Sequence, residues 1–513
     1  MNSDPKTNRS KPQDVSAQVQ KLKHDLQRIL GIRMETPHLD FFISSLTEYN
    51  PFNSTEEVIQ WLQNLRNRGE VQVNLMPLSD LRRWYFDPHT GDLEHETGGF
   101  FAIRGLEVHT NVGPVRKWSQ PIIDQPKIGL LGFICKKIND ILYLLIQAKA
   151  EPGNLHSYQI APTVQATRSN FCRLHGGRNP PFIEYFLDPS RARVIFDQHQ
   201  SEQGARFFRK RNRNVIVQIG EEERIGCGEN FRWVTLRQLK RLMRLDNFVN
   251  MDARSVVSTI CFCPEDKIPI GPIRVEELRD CLESSPLTVK PVPPLSLKLL
   301  LSACSEVAPV HSMEALLRIL SREKFQAELD AKLIPLKNVE NWIRGSDAIV
   351  HERRLYFSVI GVRVEADHRE VRQWDQPIVR QQDSGIVGFI MKDIEGILHF
   401  LVQLKVESGN IDLLGMAPTV QCITGSYRTG TLPPFVREMV SPQHSQVLFD
   451  TMQSEEGGRF YQEENRNLLL LADDPFPLEV PPRYLWVSLR QLKQFITFNN
   501  FLNVESRSLL AAL

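Results

Sequence analysis

A glutamine, a lysine and a glutamate alternate along the stretch "QAKAEPGN", which directly follows an apolar run. In a β-strand, alternate residues such as Gln147, Lys149 and Glu151 point to the same face of the sheet. A carboxylate beside an ammonium group can remove a proton from one atom and donate a proton to another. These side chains are therefore candidates for acid–base chemistry. The alternative is a solvated strand face that carries an ordinary ion pair.

The same three residue types recur 256 residues later in "QLKVESGN", as Gln403, Lys405 and Glu407. Duplicated segments diverge, and so the retention of all three side chains indicates that they are used. Inherited packing is the alternative.

A second concentration of polar residues follows in the loop "TVQATRSNFCRLHGG". Such side chains can hydrogen-bond a sugar or a phosphate, and the two glycines let the backbone approach a ligand closely. The polar residues in question are Gln165, Arg168, Ser169, Asn170 and His175. The second copy, "TVQCITGSYRTG", keeps Arg428 near Tyr427 and lacks the His-Gly-Gly sequence. An ordinary surface turn is the alternative interpretation.

Trp84 and Trp342 occupy matched positions in the two copies. Most paired tryptophans are core residues, but one beside a loop can stack on a nucleotide base. The stretch "SEQGARFFRKRNRN" is predicted to be an amphipathic helix. Its arginines either form a solvated face or clamp a diphosphate.

The elements that carry these residues are themselves duplicated. "GLLGFICKKINDILYLLIQAKAEPGN" from Gly129 matches "GIVGFIMKDIEGILHFLVQLKVESGN" from Gly385, and further matches extend towards the C-terminus. Apolar runs on either side of "IND" and "IEG" predict two adjacent antiparallel strands in each copy. Helices are predicted before them, with Ser54 and Glu57 in capping-box spacing and Ser312 at the second start. A period of 256 residues indicates domains rather than solenoid units.

These observations predict an α+β protein made of a tandem repeat. Residues 1–20 are predicted to be a disordered tail, and residues 21–261 to be the first repeat with its leading helices. A proline-rich connector with one short helix is predicted for residues 262–311, and the second repeat for residues 312–513.

The charge balance excludes a strong field over the whole chain, since 62 Lys and Arg face 61 Asp and Glu. Nucleic acid and an anionic membrane are therefore not expected as partners, and any anion site must be local. No apolar run approaches the ~18 residues of a membrane span, and the polar N-terminus lacks the core of a signal peptide. A cytoplasmic protein is predicted. None of the eight cysteines forms a CxxC pair, and neither a metal site nor a cofactor is expected.

Five motifs together closely resemble the NDP-hexose 2,3-dehydratases of deoxysugar biosynthesis: "WSQPIIDQP", "QAKAEPGN", "APTVQATRSNF", "HGG" and "RWVTLRQLKRLM". The resemblance extends from about Leu39 to the C-terminus. It implies two Nudix-hydrolase-like domains in tandem, a homodimer, and a nucleotide-sugar site in each half, one of them a remnant. Neither half has the acidic cluster that binds magnesium in Nudix hydrolases, so this fold does not imply that chemistry.

The resemblance also implies which residues contact the nucleotide sugar. It assigns Trp84 and the segment 167–171 in the first half, and Trp342 with the segment 424–427 as their counterparts. With the polar candidates above, the predicted substrate-binding residues are Trp84, Gln147, Gln165, Thr167, Arg168, Ser169, Asn170, Phe171, His175, Trp342, Lys405, Gln421, Thr424, Gly425, Ser426, Tyr427 and Arg428. Only the N-terminal copy keeps "TRSNF" and "HGG", and it is therefore predicted to be the catalytic copy.

The reaction that the resemblance implies needs no metal or redox cofactor. The substrate, a dTDP-4-keto-6-deoxyhexose, loses its carbon 3 proton to a base and its carbon 2 hydroxyl with the help of an acid. The product is a 3,4-diketo-2,6-dideoxy sugar nucleotide. Glu151 is predicted to be the base and Lys149 the donor to the enolate or the leaving group. The reverse assignment, with His156 or His175 as the acid, stays open.

Two other functions stay open beside the dehydratase, namely hydrolysis of a nucleotide-sugar diphosphate and nucleotide-sugar binding without catalysis. The dehydratase reading also implies a partner in metabolism. A ketoreductase or an aminotransferase would have to capture the reactive diketone.

Overall fold

The structure, a computed structural model, describes residues 12–31, 37–167, 179–262, 274–304, 308–366, 372–423, 432–443 and 445–513. Helices and sheets are mixed along these segments, and the predicted α+β class is confirmed. None of the helices in these segments is long and apolar enough to cross a membrane. The α-helices are α1 Pro12–Leu30, α2 Pro37–Leu46, α3 Thr55–Asn67, α4 Glu184–Leu187, α5 Leu236–Leu242, α6 Met251–Val257, α7 Val275–Ser284, α8 Pro294–Cys304, α9 Met313–Gln326, α10 Val436–Val440, α11 Leu489–Thr497 and α12 Val504–Ala511.

The β-strands fall into two matching sets. The first set is β1 Val71–Met76, β2 Trp84–Phe86, β3 Leu93–His95, β4 Ala102–Thr110, β5 Lys117–Asp124, β6 Gly129–Ile138, β7 Ile141–Ala150, β8 Tyr158–Ala161, β9 Val164–Ala166, β10 Arg193–Ser201, β11 Arg211–Gln218 and β12 Phe231–Thr235. The second set is β13 Leu329–Ile334, β14 Trp342–Arg344, β15 Ala348–His351, β16 Phe357–Ala366, β17 Gln373–Gln381, β18 Gly385–Ile394, β19 Ile397–Lys405, β20 Gly415–Ala417, β21 Val420–Ile423, β22 Ser445–Ser454, β23 Glu464–Ala472 and β24 Tyr484–Ser488.

Each half contains one seven-stranded mixed sheet, and the two sheets have the same strand order. In the first half the order is β10-β11-β6-β7-β12, with β8 beside β7 and β9 beside β6. In the second half it is β22-β23-β18-β19-β24, with β20 beside β19 and β21 beside β18. The duplication seen in the sequence is therefore a duplication of topology.

The predicted pair of antiparallel strands is confirmed in both halves as β6 with β7 and β18 with β19. The first turn places Asn139 and Asp140 at φ of 52° and 62°, and the second places Glu395 and Gly396 at 53° and 82°. Two consecutive residues with positive φ match the twist of a tight hairpin, which explains the short polar break in each repeat.

Each half also contributes one strand to the smaller sheet of the other half. Strand β1 pairs antiparallel with β16, from Val71 opposite Ala366 to Met76 opposite Gly361. Strand β13 pairs with β4 in the equivalent way. The small sheets are thus β1-β16-β15-β14 with β17, and β13-β4-β3-β2 with β5. Neither half completes its own small sheet, and the sequence analysis did not predict this exchange.

The segment predicted to be a connector with one short helix contains two helices, and the predicted short helix is confirmed as α7. Helices α7 and α8 share one apolar cluster with α1 and α2, built on leucines such as Leu26, Leu278 and Leu300. Ser44 of α2 and Ser302 of α8 both anchor a helix to the hairpin of their own half: Ser44 Oγ donates to Leu142 O, and Ser302 Oγ accepts from Leu398 N. Only α8 was not predicted, because prolines flank it on its N-terminal side.

Two other local predictions were wrong. Helix α1 begins at Pro12, so residues 12–20 are not a disordered tail, and Val15 and Val19 are buried. The arginine-rich stretch is not a helix: it runs from the end of β10 through a turn into β11. In β11, Asn212 and Asn214 are buried and alternate with half-buried arginines, which is the period of a strand. The capping box of α3, by contrast, is confirmed.

Two buried arginines join the halves where α6 packs against α12. Arg254 is 2% exposed and donates to Gln453 Oε1 at 2.6 Å. Arg507 is fully buried and donates to Ser201 O at 2.6 Å and to Ser255 Oγ at 3.0 Å. Each arginine therefore satisfies polar groups of the opposite half in an interior where unpaired groups would be costly.

Candidate functional site

A cavity of about 540 Å³ lies at the end of β7, and both halves supply its walls. The first half contributes β7, β9 and the loops that precede and follow β2 and β3. The second half contributes the start of β17 and the loop after β22, which carries Glu456 and Arg459. The volume lies within the range of ~300–1,000 Å³ that is typical of small-molecule sites.

The three alternating residues of "QAKAEPGN" line this cavity together. Strand alternation aims Gln147 and Lys149 to the same side, while Ala148 and Ala150 are buried on the other. Lys149 Nζ donates to the backbone oxygen of Gln165 at 2.6 Å. The strand thus holds the predicted catalytic side chains at one wall.

Two side-chain amides hold the carboxylate of Glu151, the residue that directly follows β7. Gln165 Nε2 donates to Glu151 Oε1 at 2.8 Å, and Asn250 Nδ2 lies 3.4 Å from Glu151 Oε2. Asn250 also donates to Gln165 Oε1 at 2.9 Å, which fixes the orientation of both amides. Glu151 is only 6% exposed. The carboxylate is therefore positioned by donors on both oxygens, within reach of a bound ligand.

The second half repeats this arrangement. Gln421 Nε2 donates to Glu407 Oε1 at 3.1 Å, and Asn503 Nδ2 donates to Gln421 Oε1 at 2.7 Å. Lys405 Nζ donates to Gln421 O at 3.2 Å. Lys405 and Gln421 do not line the 540 Å³ cavity, however. The polar cluster has thus been kept in both halves, while the large cavity belongs to the first.

Trp84 lies at the opposite wall and is held by the second half. Its ring packs against His95 and Phe101, and its Nε1 donates to Asp375 O at 2.7 Å. With 8% of its surface exposed, it presents only an edge to the cavity. Trp374 is the more exposed indole there and was not among the predicted contacts. Trp342 packs in the matched way in the second half and does not line the cavity.

The carboxylate of Asp375 is the link between this wall and the second half. It accepts hydrogen bonds from Arg82 N at 2.9 Å and Arg82 Nε at 3.0 Å, and from Arg363 Nε at 3.0 Å. Burial alone would raise the pKa of Asp375, but the hydrogen bonds from Arg363 and Arg82 outweigh it and hold the pKa well below its usual range. Asp375 is therefore an ionised clamp.

Thr167 also lines the cavity, at the point where the polar loop begins. The rest of that loop lies outside the described residues, as does the corresponding loop of the second half. The predicted contacts that fall there are Arg168, Ser169, Asn170, Phe171 and His175, with Thr424, Gly425, Ser426, Tyr427 and Arg428. His156, proposed as an alternative acid, lines a neighbouring cavity on the far side of Glu151.

Charged residues outside the predicted set also line the cavity, among them the four residues Asp252, Glu456, Lys210 and Arg459. A comparison of the two copies would have marked three of them. The positions of Asp252, Glu456 and Lys210 carry Glu505, Gln203 and Glu463 in the other half. These differences in charge at matched positions are the sequence signal that could have identified the additional cavity-lining residues.

Burial and crowding of like charges shift the protonation of these groups. Burial, followed by the charges of Glu202 and Glu151, raises the pKa of Glu456 to about 8, against the attraction of Arg459 and Lys210. Burial raises the pKa of the Asp252 carboxyl well above its usual range. Both shifts favour the protonated form of these two carboxyl groups, which lie in the same cavity as the hydrogen-bonded Glu151.

The whole cavity is lined by six basic and four acidic side chains among the described residues. The basic groups are Arg82, Arg83, Lys127, Lys149, Lys210 and Arg459. This excess of positive charge suits an anionic ligand, and the aromatic wall suits a planar ring. Within the described segments, no group of three His, Cys, Asp or Glu is placed to hold a metal ion.

Comparisons with known proteins agree with the duplicated fold. The family model of NDP-hexose 2,3-dehydratases matches twice, over residues 55–260 and 313–513. A dTDP-4-dehydro-6-deoxy-alpha-D-glucopyranose 2,3-dehydratase of Saccharopolyspora spinosa is 37% identical over 476 residues, which cover 92% of this chain and 94% of the relative.

Two further proteins with the same description are similar over comparable lengths. The one from Streptomyces violaceoruber is 40% identical over 458 residues, covering 88% of this chain and 95% of the relative. The one from Amycolatopsis orientalis is 36% identical over 467 residues, covering 90% of each chain. The resemblance noted in the sequence is confirmed: the chain belongs to the NDP-hexose 2,3-dehydratase family.

Proposed function

We propose that the chain removes water across carbons 2 and 3 of a dTDP-4-keto-6-deoxyhexose and forms a 3,4-diketo-2,6-dideoxy sugar nucleotide. Membership of the family supports the reaction class, and the names of the relatives support the substrate. The observation that carries the proposal is the convergence of Gln147, Lys149 and Glu151 in one cavity with an aromatic, positively charged wall.

The nucleoside diphosphate binds along that wall in this proposal. Arg83 and Lys127 lie near the glycine-rich loop before Phe100, and they attract the diphosphate charge. Trp84 and Trp374 flank the pocket for the thymine ring, which stacks on an indole surface. The sugar then extends towards the end of β7.

Glu151 is the base that removes the carbon 3 proton. Its amide donors hold both carboxylate oxygens, and its low exposure removes competing water. Lys149, fixed by the backbone oxygen of Gln165, donates to the enolate oxygen on carbon 4 as negative charge develops there. Expulsion of the carbon 2 hydroxyl from this enolate yields an enol, which becomes the ketone at carbon 3.

We also infer that turnover takes place at the polar cluster of the first half and that the second half keeps a related cluster. The polar cluster of Lys405 and Glu407 supports a shared origin. Several charged residues that line the cavity have a different residue at the matched position of the other half, and this supports a different use of the two clusters. A Nudix-like scaffold for each half, with Thr167 to Phe171 and Thr424 to Tyr427 as ligand-contacting loops, belongs to the same proposal.

The remaining parts of the proposal concern the cellular setting. A homodimer, a cytoplasmic location, and a ketoreductase or aminotransferase that captures the product all follow from the family resemblance. The unstable diketone makes such a capturing enzyme chemically necessary for product recovery.

The proposal is tested by incubating the protein with dTDP-4-keto-6-deoxyglucose and a ketoreductase that traps the diketone, followed by mass spectrometry of the sugar nucleotide. We expect a trapped product that lacks the carbon 2 oxygen. Recovery of substrate alone, with tight binding, would identify a binding protein. Release of dTMP and a sugar phosphate would identify a diphosphate hydrolase.

A further inference from the structure

The loop after β22 brings a carboxyl group of the second half to the catalytic wall of the first. Gly457 O of this loop accepts from Gly153 N at 2.7 Å, and Gly153 O accepts from Gln462 N at 2.8 Å. A Cβ on Gly153 would come within 1.7 Å of Phe460 O, so only glycine permits this contact. The loop is therefore locked to the turn that directly follows Glu151.

Glu456 and Glu151 face each other across Gly458. A Cβ placed on Gly458 would lie 3.2 Å from Glu456 Oε1 and 3.4 Å from Glu151 Oε1. Both oxygens thus lie within a few ångströms of one point, and both side chains line the cavity. The two carboxyl groups are therefore close enough to contact one bound sugar.

The charges around Glu456 keep it in the acid form. Glu202, Glu151 and Asp252 surround it as carboxyl groups, and Arg459 and Lys210 are the cations that oppose them. With its pKa raised to about 8, chiefly by burial, Glu456 retains its proton at neutral pH. Glu151, in contrast, accepts hydrogen bonds from amide donors on both oxygens, which favours its carboxylate form.

The first half lacks an acid at the position that matches Glu456. Gln203 stands there, and its amide donates to Glu455 Oε2 of the second half at 2.5 Å. An amide cannot deliver a proton to a leaving hydroxyl group. The two halves therefore differ in the group that could protonate the leaving hydroxyl. That group acts in the loss of water and not in the removal of the carbon 3 proton.

We propose that Glu456, from the second half, donates the proton with which the carbon 2 hydroxyl leaves as water from the site in the first half. This role rests on the proposed dehydratase function and deepens it. It makes the second half part of the catalytic machinery, because the base and the acid come from different repeats.

The proton balance closes over the cycle. Glu151 takes the carbon 3 proton and leaves an enolate across carbons 3 and 4. The enolate electrons restore the carbon 4 ketone and make the bond between carbons 2 and 3 double, and the carbon 2–oxygen bond breaks as Glu456 protonates the oxygen, which leaves as water. The resulting enol becomes the carbon 3 ketone when Glu151 returns its proton to carbon 2 and the oxygen 3 proton passes to Glu456, so that both groups regain their starting states.

The test compares Glu456→Gln with Glu463→Gln in the full chain. The pKa of Glu463 is also raised to about 8 by burial, but Glu463 does not line the cavity. We measure trapped product and, separately, exchange of the carbon 3 proton with deuterated solvent. Glu456→Gln is expected to lose ~100-fold to 10,000-fold in turnover while keeping carbon 3 exchange. Glu463→Gln is expected to keep both.

Wild-type turnover by Glu456→Gln would overturn the assignment, and so would loss of carbon 3 exchange together with turnover in a folded variant. If Glu456→Gln does not fold, the pH dependence of kcat in the wild type decides: it must fall as pH rises through about 8. A kcat that stays constant through this range would refute the assignment. Absence of any dehydrated product from the wild type would instead refute the proposed function itself.

Discussion

Asp375 offers the sharpest test of how the two halves are joined at the cavity. Its side chain is fully buried, while Arg82 and Arg363 are 50% and 33% exposed. Asp375→Asn removes the negative charge and leaves both guanidinium groups with a neutral partner. Breaking a buried ion pair costs about 3–5 kcal/mol, and the partial exposure of the arginines reduces this to about 2–3 kcal/mol.

The assay is urea unfolding of wild type and Asp375→Asn over a series of pH values. Because the pKa of Asp375 is lowered in the folded chain, its contribution is complete above the unfolded-state pKa of about 3.9. The contribution is lost as the pH falls from there through the lowered folded value. The difference between the two proteins must therefore be constant near neutrality and must shrink below about pH 4.

The control is Ser119→Ala at the matched position of the first half. Ser119 Oγ accepts one hydrogen bond, from Glu340 N at 2.8 Å, so its loss should cost no more than about 1 kcal/mol. Equal destabilisation by the two variants, or a cost of Asp375→Asn that does not change at low pH, would refute the assignment of Asp375 as an ionised clamp.

Three further predictions follow from the same contacts. Glu151→Gln should lower turnover ~100-fold to 10,000-fold. Glu407→Gln loses an equivalent hydrogen bond and should leave turnover near the wild-type value. The reverse order of effects would assign catalysis to the second half. Arg507→Met should lower the free energy of unfolding, measured by urea titration, by about 3–5 kcal/mol, because carbonyl groups of both halves lose a buried donor. A cost below about 1 kcal/mol would contradict this role of Arg507. EDTA should leave turnover unchanged, because the cysteine spacing offers no zinc site; inhibition that one metal reverses would contradict this.

The local features of the fold and of the proposed catalytic wall could be predicted from the sequence. Repetition at a fixed offset predicted the duplication, and apolar runs around a two-residue turn predicted the β6–β7 hairpin. Alternation alone placed Gln147, Lys149 and Glu151 on one face, which lines the cavity. These features depend on neighbours along the chain, and local periodicity reports them directly.

The features that the sequence did not reveal depend on contacts between distant segments. The exchange of β1 and β13 is invisible to periodicity, because each strand has the same pattern whichever sheet it joins. Glu456 reaches the same cavity as Glu151 from a loop more than 300 residues later in the chain. In the arginine-rich stretch, the composition suggested a helix although the Arg-Asn alternation fits a strand.

The central claim is that the face formed by Lys149 and Glu151 removes the carbon 3 proton. The most direct test is exchange of that proton with deuterated solvent, measured by mass spectrometry on dTDP-4-keto-6-deoxyglucose recovered from wild type, Lys149→Met and Glu151→Gln. We expect exchange by the wild type, and strongly reduced exchange by both variants, with binding of the dTDP-sugar retained. Wild-type exchange and turnover by both variants would contradict it, and would show that this face is structural.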